Sequence, residues 1–160
     1  HGRARLLEIP RLPLKNVQRA LLEQILNAIP PHPAAHGFRT GRSAVTNAAT
    51  HCGRAVVVKL DLADFFPSVP AARVCRIFRS VGYPETVARL LTGLCTTRTP
   101  TDVWDARPHP APDGSEHATR LRLSDRHLPQ GAPTSPALAN LAAHRLDRRL
   151  AGLAARLGVS

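Results

Sequence analysis

The run Ala55-Val56-Val57-Val58-Lys59-Leu60-Asp61-Leu62 constrains the fold more than any other stretch of this chain. A short series of β-branched and apolar residues predicts a central strand, buried on both faces. The run ends in an acid, Asp61, and Asp64-Phe65-Phe66-Pro67-Ser68 follows as a turn. A carboxylate at the carboxyl end of a buried strand stands where α/β folds place reacting groups. Burying it unpaired is costly, so it calls for a cation. Two roles fit the position: a metal ligand, or a strand-end acid that pairs with an Arg or caps the turn. Asp64 reads as a turn or cap residue rather than a ligand.

The chemistry that suits an isolated strand-end acid is two-metal phosphoryl transfer. There, carboxylates hold two Mg²⁺ ions roughly 3.5–4 Å apart, which activate the attacking oxygen and stabilise the leaving one. One carboxylate cannot hold such a pair, so others must come from elsewhere in the fold. Glu8, Glu23, Glu85, Asp102, Asp105, Asp113, Glu116, Asp125 and Asp147 include no adjacent pair.

Elsewhere the pattern is mostly helical. Residues 3–9 read as a short strand closed by Pro10, and apolar positions from Leu14 through Val17, Leu21, Leu22, Ile25, Leu26 and Ile29 form a helical stripe that stops at Pro30-Pro31. Ser43 is placed to cap a helix running to about His51. Amphipathic helices are predicted over about 70–80 and 84–95. Residues 97–127, rich in Pro and scattered charge, read as a loop or irregular hairpin ending in a strand near 120–123. A last helix carries Leu138, Leu141, Leu146, Leu150, Leu153 and Leu157.

That last helix is launched by Leu128-Pro129-Gln130-Gly131-Ala132-Pro133-Thr134-Ser135-Pro136. A rigid loop before a helix N-terminus exposes backbone N–H groups to an anion or a base, and Gln130 can both donate and accept hydrogen bonds. An ordinary helix start, with Ser135 as N-cap and Pro136 at the first position, fits equally well.

The formal charge of +11, from 22 Lys+Arg against 11 Asp+Glu, points to a polyanionic partner. Heavy Arg and Ala use contributes to that bias. Arg3, Arg5, Arg11, Lys15 and Arg19, and Arg39 and Arg42 around Gly41, could clamp a triphosphate or nucleic-acid backbone, or form solvated basic faces. Three dispersed cysteines, Cys52, Cys75 and Cys95, argue against a disulfide framework or a Cys-based zinc site and suit a reduced, cytoplasmic setting. His32 and His36 have helical ligand spacing, but Pro31 and Pro33 argue against zinc there. With Trp104, Tyr83 and four Phe, no stacking platform stands out. No stretch approaches the roughly 20 apolar residues of a membrane helix, so no membrane partner is expected.

Taken together, these segments resemble a reverse transcriptase of the retron type, with group II intron-like enzymes close behind. Arg5-Leu6-Leu7-Glu8, Pro10 and Leu14-Lys15-Asn16-Val17-Gln18-Arg19 resemble the opening fingers block. His36-Gly37-Phe38-Arg39-Thr40-Gly41-Arg42-Ser43 resembles the next, and Asn47-Ala48-Ala49-Thr50-His51 matches the N-A-x-x-H signature of retron enzymes. Residues 61–68 resemble the first catalytic palm motif, and residues 128–141 the block that touches the incoming nucleotide.

The resemblance implies an α+β right-hand polymerase fragment, helices packed on a small, mostly antiparallel sheet, with the thumb and C-terminal palm missing. Its divisions would be fingers over 1–54, palm with the first catalytic motif over 55–96, an irregular loop or hairpin insertion over 97–127, and the nucleotide-contact loop and helix over 128–160. It implies Asp61 as catalytic residue and metal ligand, joined by the Leu62 backbone carbonyl, with Mg²⁺ or Mn²⁺ as cofactor. Phe66 would be the steric gate against a ribose 2′-OH; Gln130, Gly131 and Arg5 would meet the nucleotide. Lys15, Arg19, Arg39, Arg42, Asn47 and His51 would contact RNA. The implied partners are a structured noncoding RNA as template and primer, the RNA–DNA hybrid, deoxynucleoside triphosphates and an effector protein in anti-phage defence.

The family's Y-x-D-D motif, bearing two further metal-binding aspartates, does not occur in these residues and is expected after Ser160. The chain therefore reads as a piece of a longer enzyme, inactive by itself. A different class of function also fits: a catalytically inactive RNA-binding or partner-binding module that keeps the polymerase scaffold.

Overall fold

The computed structural model describes residues 6–105 and 115–159, with the side chains at 104, 105, 115, 116, 118 and 119 left out of account. Residues 6–11 form no regular element, and Pro13 sits in the first turn of α1 (Leu12–Gln24), where its missing N–H costs nothing. A 3-10 turn over Leu26–Ala28 prolongs this helix toward Pro30-Pro31. Only the later part of the predicted stripe is covered: Leu26 is buried and Leu21, Leu22, Ile25 and Ile29 pack against the core, while Leu14 and Val17 remain exposed.

Ser43 caps α2 (Ala44–Ala49) as expected, its Oγ accepting from the Thr46 N–H at 3.2 Å while the Thr46 hydroxyl oxygen accepts from the Ser43 N–H at 2.8 Å. Helices α3 (Ala71–Ser80) and α4 (Glu85–Cys95) form a hairpin around Gly82 and fall where their periodicity places them. Val74, Ile77 and Phe78 from α3 meet Ala88, Leu91 and Cys95 from α4, with Val69, Leu128, Leu138 and Ala139 completing the core. The Phe78 and Tyr83 rings meet edge to face at 6.2 Å. Short α5 (Asp102–Asp105) and α6 (Ser115–Ser124) precede α7 (Ser135–Leu157), whose first turns lie on α3. The Arg73 guanidinium donates to the Ala142 carbonyl at 3.0 Å across that contact, and Gly158, at φ 66°, closes α7.

The expected sheet is not there: the described residues contain helices and no strand, only two isolated antiparallel bridges, Pro70 to His127 and Thr97 to His127. The α+β expectation of helices on a small antiparallel sheet is therefore corrected to a helical arrangement. Residues 55–62 form no regular element and are solvent-exposed, with Val56 at 78%, Val58 at 76% and Leu60 at 89%. A β-branched run becomes a strand only when another strand satisfies its N–H and C=O groups, and none of the described residues does so here. Residues 6–9 likewise form no strand; residues 3–5 lie outside the described residues. The strand predicted near 120–123 is instead the end of helix α6.

Candidate nucleotide and nucleic-acid site

Two short segments meet at one edge of the core. Residues 63–68 turn tightly: the Ser68 N–H donates to the Asp64 carbonyl at 3.0 Å and its hydroxyl to the Phe65 carbonyl at 2.7 Å. Asp64 takes φ 50°, a left-handed conformation that Asp tolerates better than most residues. Phe65 and Phe66 are half-buried and pack on the core. The second segment, residues 128–134, is tied to the first where the Leu128 N–H donates to the Val69 carbonyl at 3.2 Å.

The 128–136 loop is rigid for reasons the sequence only half announces. Leu128, Thr134 and Ser135 have no exposure. Ser135 is not the N-cap. Thr134 holds that position, without a side-chain cap, and the buried Ser135 hydroxyl instead donates to the Pro129 carbonyl at 2.7 Å, cross-linking the loop. Gly131 adopts φ +127°, and a Cβ there would stand 3.1 Å from Ile9 Cγ1 and 3.7 Å from the Glu8 carbonyl oxygen. The Glu8 N–H donates to the Gln130 carbonyl at 2.9 Å. The Gln130 side chain is half-buried and makes no hydrogen bond among the described residues, so it is available to a ligand.

Asp61 stands in the exposed 55–62 segment, not at the end of a buried strand as the sequence predicted. Among the described residues it has neither ion pair nor hydrogen bond. Its neighbour Asp64 takes the arginine, with Arg122 Nη1 at 3.7 Å. No group of three His, Cys, Asp or Glu side chains among the described residues could hold a metal ion. Asp61 and the Leu62 carbonyl could by themselves supply only part of the ligands that a magnesium pair needs.

Sequence reasoning missed a buried polar cluster beside the loop. His127, 1% exposed, places Nε2 2.9 Å from Glu8 Oε2 and Nδ1 2.7 Å from the Asp125 carbonyl oxygen. The Thr99 hydroxyl donates to Glu8 Oε1 at 2.6 Å. A carbonyl only accepts, so Nδ1 carries a proton, and a proton on Nε2 would set the charged ring against the Glu8 carboxylate. Burial by itself opposes that charge. The Glu8 hydrogen bond, the Asp125 carbonyl and the Glu8 charge together outweigh it, and His127 titrates above its ordinary value. Glu8 and His127 are 119 residues apart, so no motif spacing could have joined them. Cys95 offers no nucleophile: burial pushes its thiol up to about 11.

The basic candidates sit on two other elements. Lys15 and the exposed Arg19 belong to α1, where Arg19 Nη1 donates to Asn16 Oδ1 at 3.3 Å. Arg39, Arg42, Asn47 and His51 follow one another through the 36–51 loop and α2, which buries no residue. Asn140 Nδ2 fastens that loop to α7 by donating to the Gly37 carbonyl at 2.9 Å. Beside it, Phe38, Arg39, Asn27 and Asn140 line part of a cavity of about 240 Å³. Arg5 lies outside the described residues.

Residues 1–156 match the family model of reverse transcriptase (RNA-dependent DNA polymerase), and the chain belongs to that family. Its relatives are of the retron type. The chain is 46% identical over 159 residues to retron Mx65 reverse transcriptase of Myxococcus xanthus, covering 98% of this chain and 35% of the relative. It is 42% identical over 157 residues to retron Mx162 reverse transcriptase of the same organism, covering 98% and 30%. Retron Ec86 reverse transcriptase of Escherichia coli is 32% identical over 157 residues, with 98% and 41% covered. The chain thus spans roughly a third of the length of these curated relatives. No helix among the described residues is long and apolar enough to cross a membrane.

Proposed function

We propose that this chain is the fingers and first palm portion of a retron-type RNA-directed DNA polymerase, which copies a structured noncoding RNA into DNA. In this reading Gln130 and the Gly131 backbone meet the incoming deoxynucleoside triphosphate and Phe66 crowds its 2′ position. Arg5 approaches the triphosphate, and Lys15, Arg19, Arg39, Arg42, Asn47 and His51 hold RNA. Asp61 contributes one carboxylate, with the Leu62 carbonyl, to a divalent-cation site, Mg²⁺ or Mn²⁺, whose other ligands lie outside the described residues. The parent protein acts in the cytoplasm with an effector protein in anti-phage defence.

The observation that supports this reading most is the Leu128-to-Val69 bond, at 3.2 Å, which sets the nucleotide-contact loop beside the 61–68 turn. The polymerase reading requires the two to work on one substrate. Primer extension tests it: the full-length protein with its RNA, Mg²⁺ and deoxynucleotides makes DNA, and the isolated 160-residue chain makes none. Robust extension by the isolated chain, or none by the full-length protein, contradicts it.

A further inference from the structure

The side chains of the Glu8–His127–Thr99 cluster are not among the groups assigned above to substrate, yet the cluster adjoins the loop that carries two of them. Apolar burial holds residues 6–9 against that loop only in part: Leu6 is half-buried, but Leu7 and Ile9 are 61% and 62% exposed. The rest of the hold is polar. The Glu8 carboxylate takes one bond from His127 at 2.9 Å and one from Thr99 at 2.6 Å, while the N–H of the same residue donates to the Gln130 carbonyl at 2.9 Å. The His127 backbone is in turn held on both sides, its N–H and C=O both bonded to Thr97, at 2.9 and 3.0 Å. The Gln130 carbonyl belongs to the peptide whose N–H is that of Gly131. One locked side chain therefore fixes the plane of the 130–131 peptide, with Ile9 closing the space beside Gly131 at 3.1 Å from a notional Cβ.

We propose that Glu8, clamped by His127 and Thr99, is a positioning residue for the nucleotide. By anchoring the Gln130 carbonyl it sets the direction of the Gly131 N–H and of the Gln130 side chain toward the incoming nucleotide. The inference rests on the polymerase reading of this loop. Binding groups must be held to within about 0.5 Å of their productive place, and a rotated 130–131 peptide exceeds that. Loosening the anchor removes binding that ground state and transition state share, so it raises KM and spares kcat.

Two measurements decide it. In this chain, amide hydrogen exchange over residues 128–132 accelerates in Glu8→Ala by about tenfold or more, the effect of leaving buried partners unpaired. Helices α3 and α4 keep their protection, and Thr99→Val, the milder variant, moves the same residues in the same direction. In the full-length protein on poly(rA)·oligo(dT), Glu8→Ala raises the KM for dTTP about tenfold with kcat within about twofold, and Glu8→Gln, which still accepts from His127, recovers most of the loss. Unchanged exchange at 128–132, or an equal loss of protection in α3 and α4, overturns the proposal. So does a fall in kcat at constant KM. A wild-type protein that makes no DNA refutes the polymerase reading instead, and the exchange measurement still decides whether Glu8 holds the loop.

Discussion

Arg122 reaches Asp64 at 3.7 Å and leaves Asp61, three residues earlier, without a cation among the described residues. An acid paired with an Arg was the alternative to a metal ligand for this motif, and the pair falls on the other aspartate. The Arg122–Asp64 pair is partly exposed, so its own contribution to stability is at most about 1 kcal/mol. Arg122→Ala should therefore lower the melting temperature slightly, read by thermal denaturation of this chain.

The buried His127–Glu8 contact gives a pH dependence of definite sign. His127 is raised in the folded state, so its contribution is full below its unfolded value of about 6.5 and is lost as pH rises through the higher folded one. The groups around it are Glu8, the Asp125 carbonyl and the backbone of Thr97, while the neighbouring Arg126 turns away to the Thr96 carbonyl at 3.3 Å. Denaturant unfolding should show stability falling from slightly acid to alkaline pH. His127→Gln should flatten that slope.

Gly131→Ala tests the close packing of the loop. An Ala at φ +127° is strained, and its Cβ would meet Ile9 Cγ1 at 3.1 Å. The expected loss is about 1–3 kcal/mol of unfolding free energy, measured in urea.

Helices α1, α3, α4 and α7 were legible because each buries part of an apolar face, and a helix completes its own hydrogen bonds. The Ser43 cap was legible for the same local reason. Residues 55–62 were misread because a strand depends on a partner that local sequence does not contain; the apolar run is real, but nothing among the described residues pairs with it. Ser135 was misread because a buried hydroxyl found the Pro129 carbonyl before a helix N–H. Glu8 was set aside as an acid with no neighbour, and its neighbour proves to be His127 across most of the chain.

The half-buried Phe66 carries the sugar-selectivity prediction. Phe66→Ala in the full-length protein should raise ribonucleotide incorporation by about tenfold or more relative to deoxynucleotides, as removal of a steric block does. Because the ring is only half-buried against the core, the fold should survive, checked by circular dichroism.

Arg39 and Arg42 lie on a segment that buries little, so replacing both by Ala should leave the fold intact. RNA affinity should fall at every sequence, and the slope of log affinity against log salt should become shallower by about 1–2.

Asp61→Ala in the full-length protein is the most direct measurement. The residue is exposed, so the change should alter stability by no more than about 0.5 kcal/mol. The account predicts that Mg²⁺-dependent DNA synthesis disappears while RNA affinity stays within about twofold of wild type, since no phosphate-binding Lys or Arg is removed. DNA synthesis at the wild-type rate in that variant would contradict it.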